Sequence, residues 1–255
     1  MRVVAVMGAV GGAGATTVAA HLSAALSLQQ RETLSFDWCC ENRLRLHFGM
    51  AVGEDAGWAV SLLQGGDWHA AAFRSSAGID FIPFGQLNND DQLDQLVSRL
   101  REQPDWFGDQ LSLLRVPSET IAVCDCPRMP AVLRNQVLSV ADLVLTIAAP
   151  DIVSYATATR MAHGAAEAGA MQTMVVLNGF DSSRQIDRDI SVLLRTHHKS
   201  FFSPVVIHRD ESLREAVACK QTVFDFAPSS QAAYDFSALA TWTLARLGHG
   251  SEDAA

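Results

Sequence analysis

Residues 9–17, Ala9-Val10-Gly11-Gly12-Ala13-Gly14-Ala15-Thr16-Thr17, constrain what this chain can fold into more than any other stretch. An apolar run, Val3 to Met7, leads into them, and from Val18 to Leu26 apolar residues recur at helical spacing. The pattern predicts a strand, a glycine loop and a helix. Gly11, Gly12 and Gly14 let successive backbone N–H groups curl into a concave anion nest at a helix N-terminus, where the helix dipole also favours a phosphate. The candidate phosphate contacts are therefore Gly11, Gly12, Ala13, Gly14, Ala15, Thr16 and Thr17. Thr16 stands where a phosphate-loop hydroxyl meets Mg²⁺.

Two other readings compete. A secretory signal would open with a charged residue and an apolar run, but here the charged start is minimal and an amphipathic helix follows. A dinucleotide-binding turn would explain Asp37, an acid closing the next strand at about the right distance. The spacing Gly12-x-Gly14 then continues as Ala15-Thr16-Thr17, out of register for G-x-G-x-x-G, and paired threonines suit Mg²⁺ better than a helix–strand contact.

With 255 residues, 49% of them hydrophobic, the chain suffices for one sizeable core. A net charge of −9 and the lack of a Lys/Arg run speak against nucleic acid as a partner. Five cysteines make a poor disulfide framework and a poor metal site, so reduced thiols are expected. Cys124 and Cys126, which flank Asp125, are expected on opposite faces of their strand. No apolar run approaches the length of a membrane span.

Further strands are expected at 32–37, 79–85, 119–126, 143–148 and 173–178. Asp37 closes the first of these, as a functional acid or as a helix cap. Residues 57–64 and 67–73 are expected as two short helices whose tryptophans face the core, and Asn88 to Glu102 as a surface helix with Leu93, Leu96 and Leu100 in a narrow stripe. His208 reads as a packing or hydrogen-bonding residue, and His197-His198 lacks an acid or cysteine at zinc-ligand spacing. Strands separated by helical segments require right-handed crossovers. The expectation is a single doubly wound, mainly parallel α/β sheet with helices on both faces, spanning 1–247 and followed by a polar, disordered tail from 248 to 255. In that fold the glycine loop, Asp37 and Asp125 converge at the carboxyl edge of the sheet.

Val10-Gly11-Gly12-Ala13-Gly14-Ala15-Thr16-Thr17 resembles the K-G-G-x-G-K-T-T loop of the MinD/ParA ATPases, with both lysines absent. The resemblance implies that Val10 replaces the lysine that crosses a dimer interface and Ala15 the one that reaches the phosphates. It also places Cys39 where a water-orienting acid belongs. Asp125-Cys126-Pro127 resembles the Walker B end, so Thr16, Asp37 and Asp125 are the metal candidates. Asn178 matches an adenine-reading asparagine, although a turn-forming role before Gly179 also fits. Phe84-Gly85-Gln86-Leu87, Ile207-His208-Arg209-Asp210-Glu211 and Lys220-Gln221 narrow the likeness to the BcsQ/YhjQ family of cellulose biosynthesis, over roughly residues 1–247.

The resemblance implies ATP or ADP with Mg²⁺ as cofactors, and Arg209 and Asp210 at the nucleotide edge. It implies a cytoplasmic homodimer closed over the nucleotide; by position alone, Arg209 and Arg128 are candidates for the missing cross-dimer cation. It further implies a small BcsR-like partner, a BcsE-like partner and the cytosolic face of the membrane synthase. The role expected is an accessory subunit with little hydrolysis. An active MinD/ParA-type positioning ATPase and a dinucleotide-dependent oxidoreductase are the alternatives.

Overall fold

The computed structural model describes residues 1–167, 170–197 and 200–249. Its elements follow in chain order. β1 (Arg2–Gly8) leads through the glycine loop into α1 (Ala15–Leu28), then β2 (Thr33–Asp37), α2 (Leu44–His47) and α3 (Trp58–Leu63). A 3₁₀ turn at Trp68–Ala71 precedes β3 (Phe73–Arg74), β4 (Asp80–Ile82), α4 (Asp90–Glu102) and α5 (Trp106–Leu113). Next come β5 (Ile121–Cys126), α6 (Ala131–Leu138), β6 (Leu143–Ala148), α7 (Ile152–Glu167) and β7 (Gln172–Phe180). The chain continues through α8 (Gln185–His197), β8 (Phe202–His208), α9 (Ser212–Ala218), α10 (Val223–Phe226) and α11 (Gln231–His249).

Among the described residues the strands form one sheet in the order β3-β4-β2-β5-β1-β6-β7-β8. Every pairing is parallel except β3 with β4. This is the doubly wound sheet expected. Helices cover both faces, which is why the central strands read as almost unbroken apolar runs. Alternation along β1 divides the core: Val4 and Val6 pack with Leu22 of α1 and Phe236 of α11, while Val3, Ala5 and Met7 pack with Trp58, Leu96 and Phe107.

α4 begins where Asn89 caps it, its side-chain oxygen accepting from the Gln92 N–H at 3.0 Å. Leu96 and Leu100 are fully buried, as the stripe predicts. The tryptophans at 58 and 68 are core residues.

The structure departs from the sequence reading at several places. Residues 67–73 do not form a second α-helix: the Asp67 carboxylate accepts from the His69 N–H at 2.9 Å and closes a 3₁₀ turn, after which Phe73 enters β3. α5, α8 and α11 had no counterpart in the sequence reading. Cys124 and Cys126 share one face of β5 and one core cluster, because residues two apart on a strand point the same way. α11 runs to His249, so positions 248 and 249, expected in the tail, belong to a helix; positions 250–255, like His198, lie outside the described residues.

Candidate functional site

The glycine loop rises from the end of β1, next to β5. Gly14 caps α1 in a left-handed conformation, φ +90°, and Gly12 has φ +81°, so L side chains are disfavoured at both. A Cβ on Gly14 would run into the Asn178 amide nitrogen. No described hydrogen bond engages the backbone N–H of Gly11, Gly12 or Gly14, and those of Ala15, Thr16 and Thr17 are first-turn donors that the helix itself leaves open. These donors face a cleft of about 570 Å³ lined by residues 10–17, Cys39, Arg43, Asp125 and Arg128, among others. The expected phosphate contacts therefore share one concave wall.

At the base of the loop sit two buried acids. β2 and β5 are neighbours in register, Asp37 opposite Asp125, which brings both carboxylates to the same sheet edge. Asp37 is committed on both oxygens: Oδ1 accepts from the Cys39 N–H at 2.9 Å and Oδ2 from the Leu44 N–H at 3.0 Å, so it closes one turn and caps the start of α2. Burial first, and then the neighbouring Asp125 charge, still push its pKa well above the ordinary carboxylate range.

Asp125 differs: both its oxygens are buried with no hydrogen-bond partner. The Thr16 hydroxyl and the Cys39 thiol lie close enough to favour its charged form, but burial dominates and its pKa is pushed up to about 6. Ligand atoms of Asp37, Cys39 and Asp125 lie within 4.8 Å of one another. Two acids facing each other in a buried place, one with orphaned oxygens, fit a divalent cation, with the Thr16 hydroxyl beside them. Burial, then the Asp125 and Asp37 charges, drive the Cys39 thiol far upward, so this side chain brings neither a carboxylate nor a thiolate to the cleft.

Residues 1–244 match the sequence profile of the family described as "Cellulose biosynthesis protein BcsQ". The chain belongs to the BcsQ family. The Escherichia coli K12 cellulose biosynthesis protein BcsQ is 31% identical over 244 residues, covering 96% of this chain and 94% of the relative. The septum site-determining protein MinD complexed with Mg-ADP from Pyrococcus horikoshii OT3 superposes with a TM-score of 0.75 at 18% identity, over 94% of each chain. A Mycobacterium smegmatis cobyrinic acid a,c-diamide synthase with bound ATP analog and magnesium has a TM-score of 0.75 at 19% identity, over 96% of this chain and 94% of that one. The BcsQ-family chain thus has the MinD-type P-loop fold.

The other sequence candidates of this BcsQ-family member are distributed unequally. Asn178, at the end of β7, donates its amide to the Ala13 carbonyl at 2.8 Å and so buttresses the phosphate loop from behind. Arg209 continues the β7–β8 edge, its N–H donating to the Phe180 carbonyl at 2.9 Å; it does not line the phosphate cleft, whereas Arg128 does. Asp210 accepts from the Ser212 N–H and the Ala232 N–H, both at 2.9 Å, and ties the starts of α9 and α11 together. His208 is paired through Nδ1 with Asp235 at 2.9 Å, the hydrogen-bonding role expected of it. Sequence reading missed Arg43 as a second cation of the cleft. Its position follows from the 38–43 loop that ends at the start of α2, which no periodicity in a four-residue helix can announce.

Proposed function

We propose that this BcsQ-family chain is a nucleotide-binding, dimerising accessory subunit of cellulose synthesis that holds a purine nucleotide with Mg²⁺ and turns it over slowly. One observation carries the reading: the donor wall of the phosphate loop and the orphaned Asp125 are intact, while Val10, Ala15 and Cys39 lack the charges that phosphoryl transfer uses. Backbone donors need no lysine, and charge-assisted hydrogen bonds are each worth about 1.5–3 kcal/mol. Mg²⁺, when bound, would neutralise phosphate charge, with the Thr16 hydroxyl and Asp125 as its protein partners and Asp37 fixing the adjoining turn. The MinD and cobyrinic acid synthase neighbours hold Mg-ADP and an ATP analog with magnesium, which supports this choice of ligand.

In this reading residues 1–247 act as one nucleotide-binding domain. Asn178 serves the loop and the purine edge, with Arg209 and Asp210 on the neighbouring β8–α9 turn. The dimer closes face to face over the cleft, and Arg128 is the cation best placed to replace the lysine absent at Val10, since it lines the cleft and Arg209 does not. Family membership supports work beside the other cellulose-synthesis subunits, with a small BcsR-like chain and a BcsE-like chain as partners at the cytosolic face of the synthase. No described helix is long and apolar enough to cross a membrane.

Calorimetry of the purified chain with ATP, ADP and GTP tests the reading, alongside solution mass with and without ATP. Saturable binding is expected, with Gly14→Val abolishing it and the mass doubling with ATP. Absence of binding by all three nucleotides would overturn the proposal, and a monomer at saturating ATP in the presence of the small partners would overturn its dimer.

A further inference from the structure

Beside the phosphate cleft lies a second cavity of about 290 Å³, between the β5–α6 connection and α7. Three arginines line it: Arg128, Arg134 and Arg160. None of them makes an ion pair with an acid among the described residues. That is against the composition of the chain, which carries 28 acids and a net charge of −9. Only Arg134 is tethered, its guanidinium donating to the Arg128 carbonyl at 3.2 Å and to the Asn135 side-chain oxygen at 3.4 Å. Met7 and Leu138, each 2% exposed, give the cavity an apolar floor, and Thr157 adds a hydroxyl.

Three guanidinium groups line one concavity with no acid to balance them, which favours an anion there. Guanidinium groups offer flat, forked pairs of N–H donors that match phosphate oxygens two at a time, and an apolar floor strengthens such contacts by excluding water. The volume is near the lower end of the roughly 300–1,000 Å³ range of small-molecule sites, which suits a compact ligand and not a peptide helix. We propose that this cavity is a second anion site, taking a small phosphate-bearing molecule separate from the nucleotide on residues 11–17. Arg128 lines both cavities, so the two anions would be neighbours. The site stands on its own residues and does not depend on the nucleotide reading.

Inorganic pyrophosphate, titrated calorimetrically into the full chain in Mg²⁺-free buffer, is the probe. The wild type is expected to take up two equivalents, one on the glycine loop and one among the arginines. The double variant Arg134→Ala/Arg160→Ala is expected to lose one of them, or to bind it about tenfold more weakly, while keeping its ATP affinity. Gly14→Val should lose the other. A wild type that takes up a single equivalent, lost in the arginine variant and kept in Gly14→Val, would support this site while failing the nucleotide reading. No uptake at all, or uptake unchanged in the arginine variant, would overturn the second site. Should Gly14→Val fail to fold, the arginine variant alone decides.

Discussion

Asp125 is a buried carboxylate with neither oxygen hydrogen-bonded, facing Asp37 across the sheet edge. Charge there opposes folding until a cation arrives. Asp125→Asn is therefore expected to raise the melting temperature of the ligand-free chain and to remove the extra stabilisation by Mg²⁺ with ATP, both read by thermal denaturation. His21 presents the opposite sign problem. Its Nδ1 meets the Thr17 carbonyl at 2.7 Å and its Nε2 accepts from the Val223 N–H at 3.0 Å, which fixes the neutral ring. Burial pushes its pKa down to about 4, and that of neighbouring His47 to about 3. Unfolded histidines take up protons near pH 6.5, so this stability is fully present above that pH and is lost as pH falls through about 4. Urea denaturation should show stability falling between pH 7 and pH 4.5, and a flatter dependence in His21→Phe, which is also weaker at pH 7 because the Val223 N–H loses its acceptor. That Thr16 and Asp125 line one cleft was legible because their positions are tied to the loop motif and a strand end. The Asp37 bond from the Leu44 N–H meets the helix-cap reading, whereas its bond from the Cys39 N–H was not legible, since it depends on how the chain turns directly after β2.

At the level of elements, α1, α3, α4 and the central strands were readable, whereas α5, α8 and α11 were not. α1 and the central strands carry unbroken apolar patterns over many residues. α5 spans eight residues, too few turns for a period to stand out, and its Trp106 and Phe107 reveal their role only in packing. Trp38 lies 4.4 Å from Trp58 and 4.7 Å from Phe107 between ring centres, and Trp58 stacks on Trp106 at 5.6 Å. This cluster underlies the β2–α2 loop: the Trp58 indole N–H donates to the Asp37 carbonyl at 2.8 Å. Trp58→Ala is expected to cost about 3–5 kcal/mol in urea denaturation. It should also weaken nucleotide binding, because the loop carrying Asp37, Cys39 and Arg43 loses its support. Unchanged stability would show that the cluster is not what holds that loop.

For the whole molecule, strand order decides what meets. β1 lies between β5 and β6, and β5 separates it from β2, so the loop after β1, Asp37 and Asp125 gather at one carboxyl edge although they are far apart in sequence. That gathering was legible from chain order and strand ends. The split between Arg128, which reaches the cleft, and Arg209, which does not, was not, because it depends on how the β5–α6 and β8–α9 connections turn. On the proposed function the chain retains its nucleotide without rapid turnover, because Val10, Ala15 and Cys39 bring no charge to the site. The direct measurement is the fate of ATP incubated with the purified wild-type chain and Mg²⁺, followed by chromatography of free and bound nucleotide. The prediction is that bound nucleotide remains largely ATP, and that Ala15→Lys tightens binding while hydrolysis stays slow. Turnover at about 1 per second, within the range of competent phosphoryl-transfer enzymes, and abolished by Asp125→Ala, would contradict it.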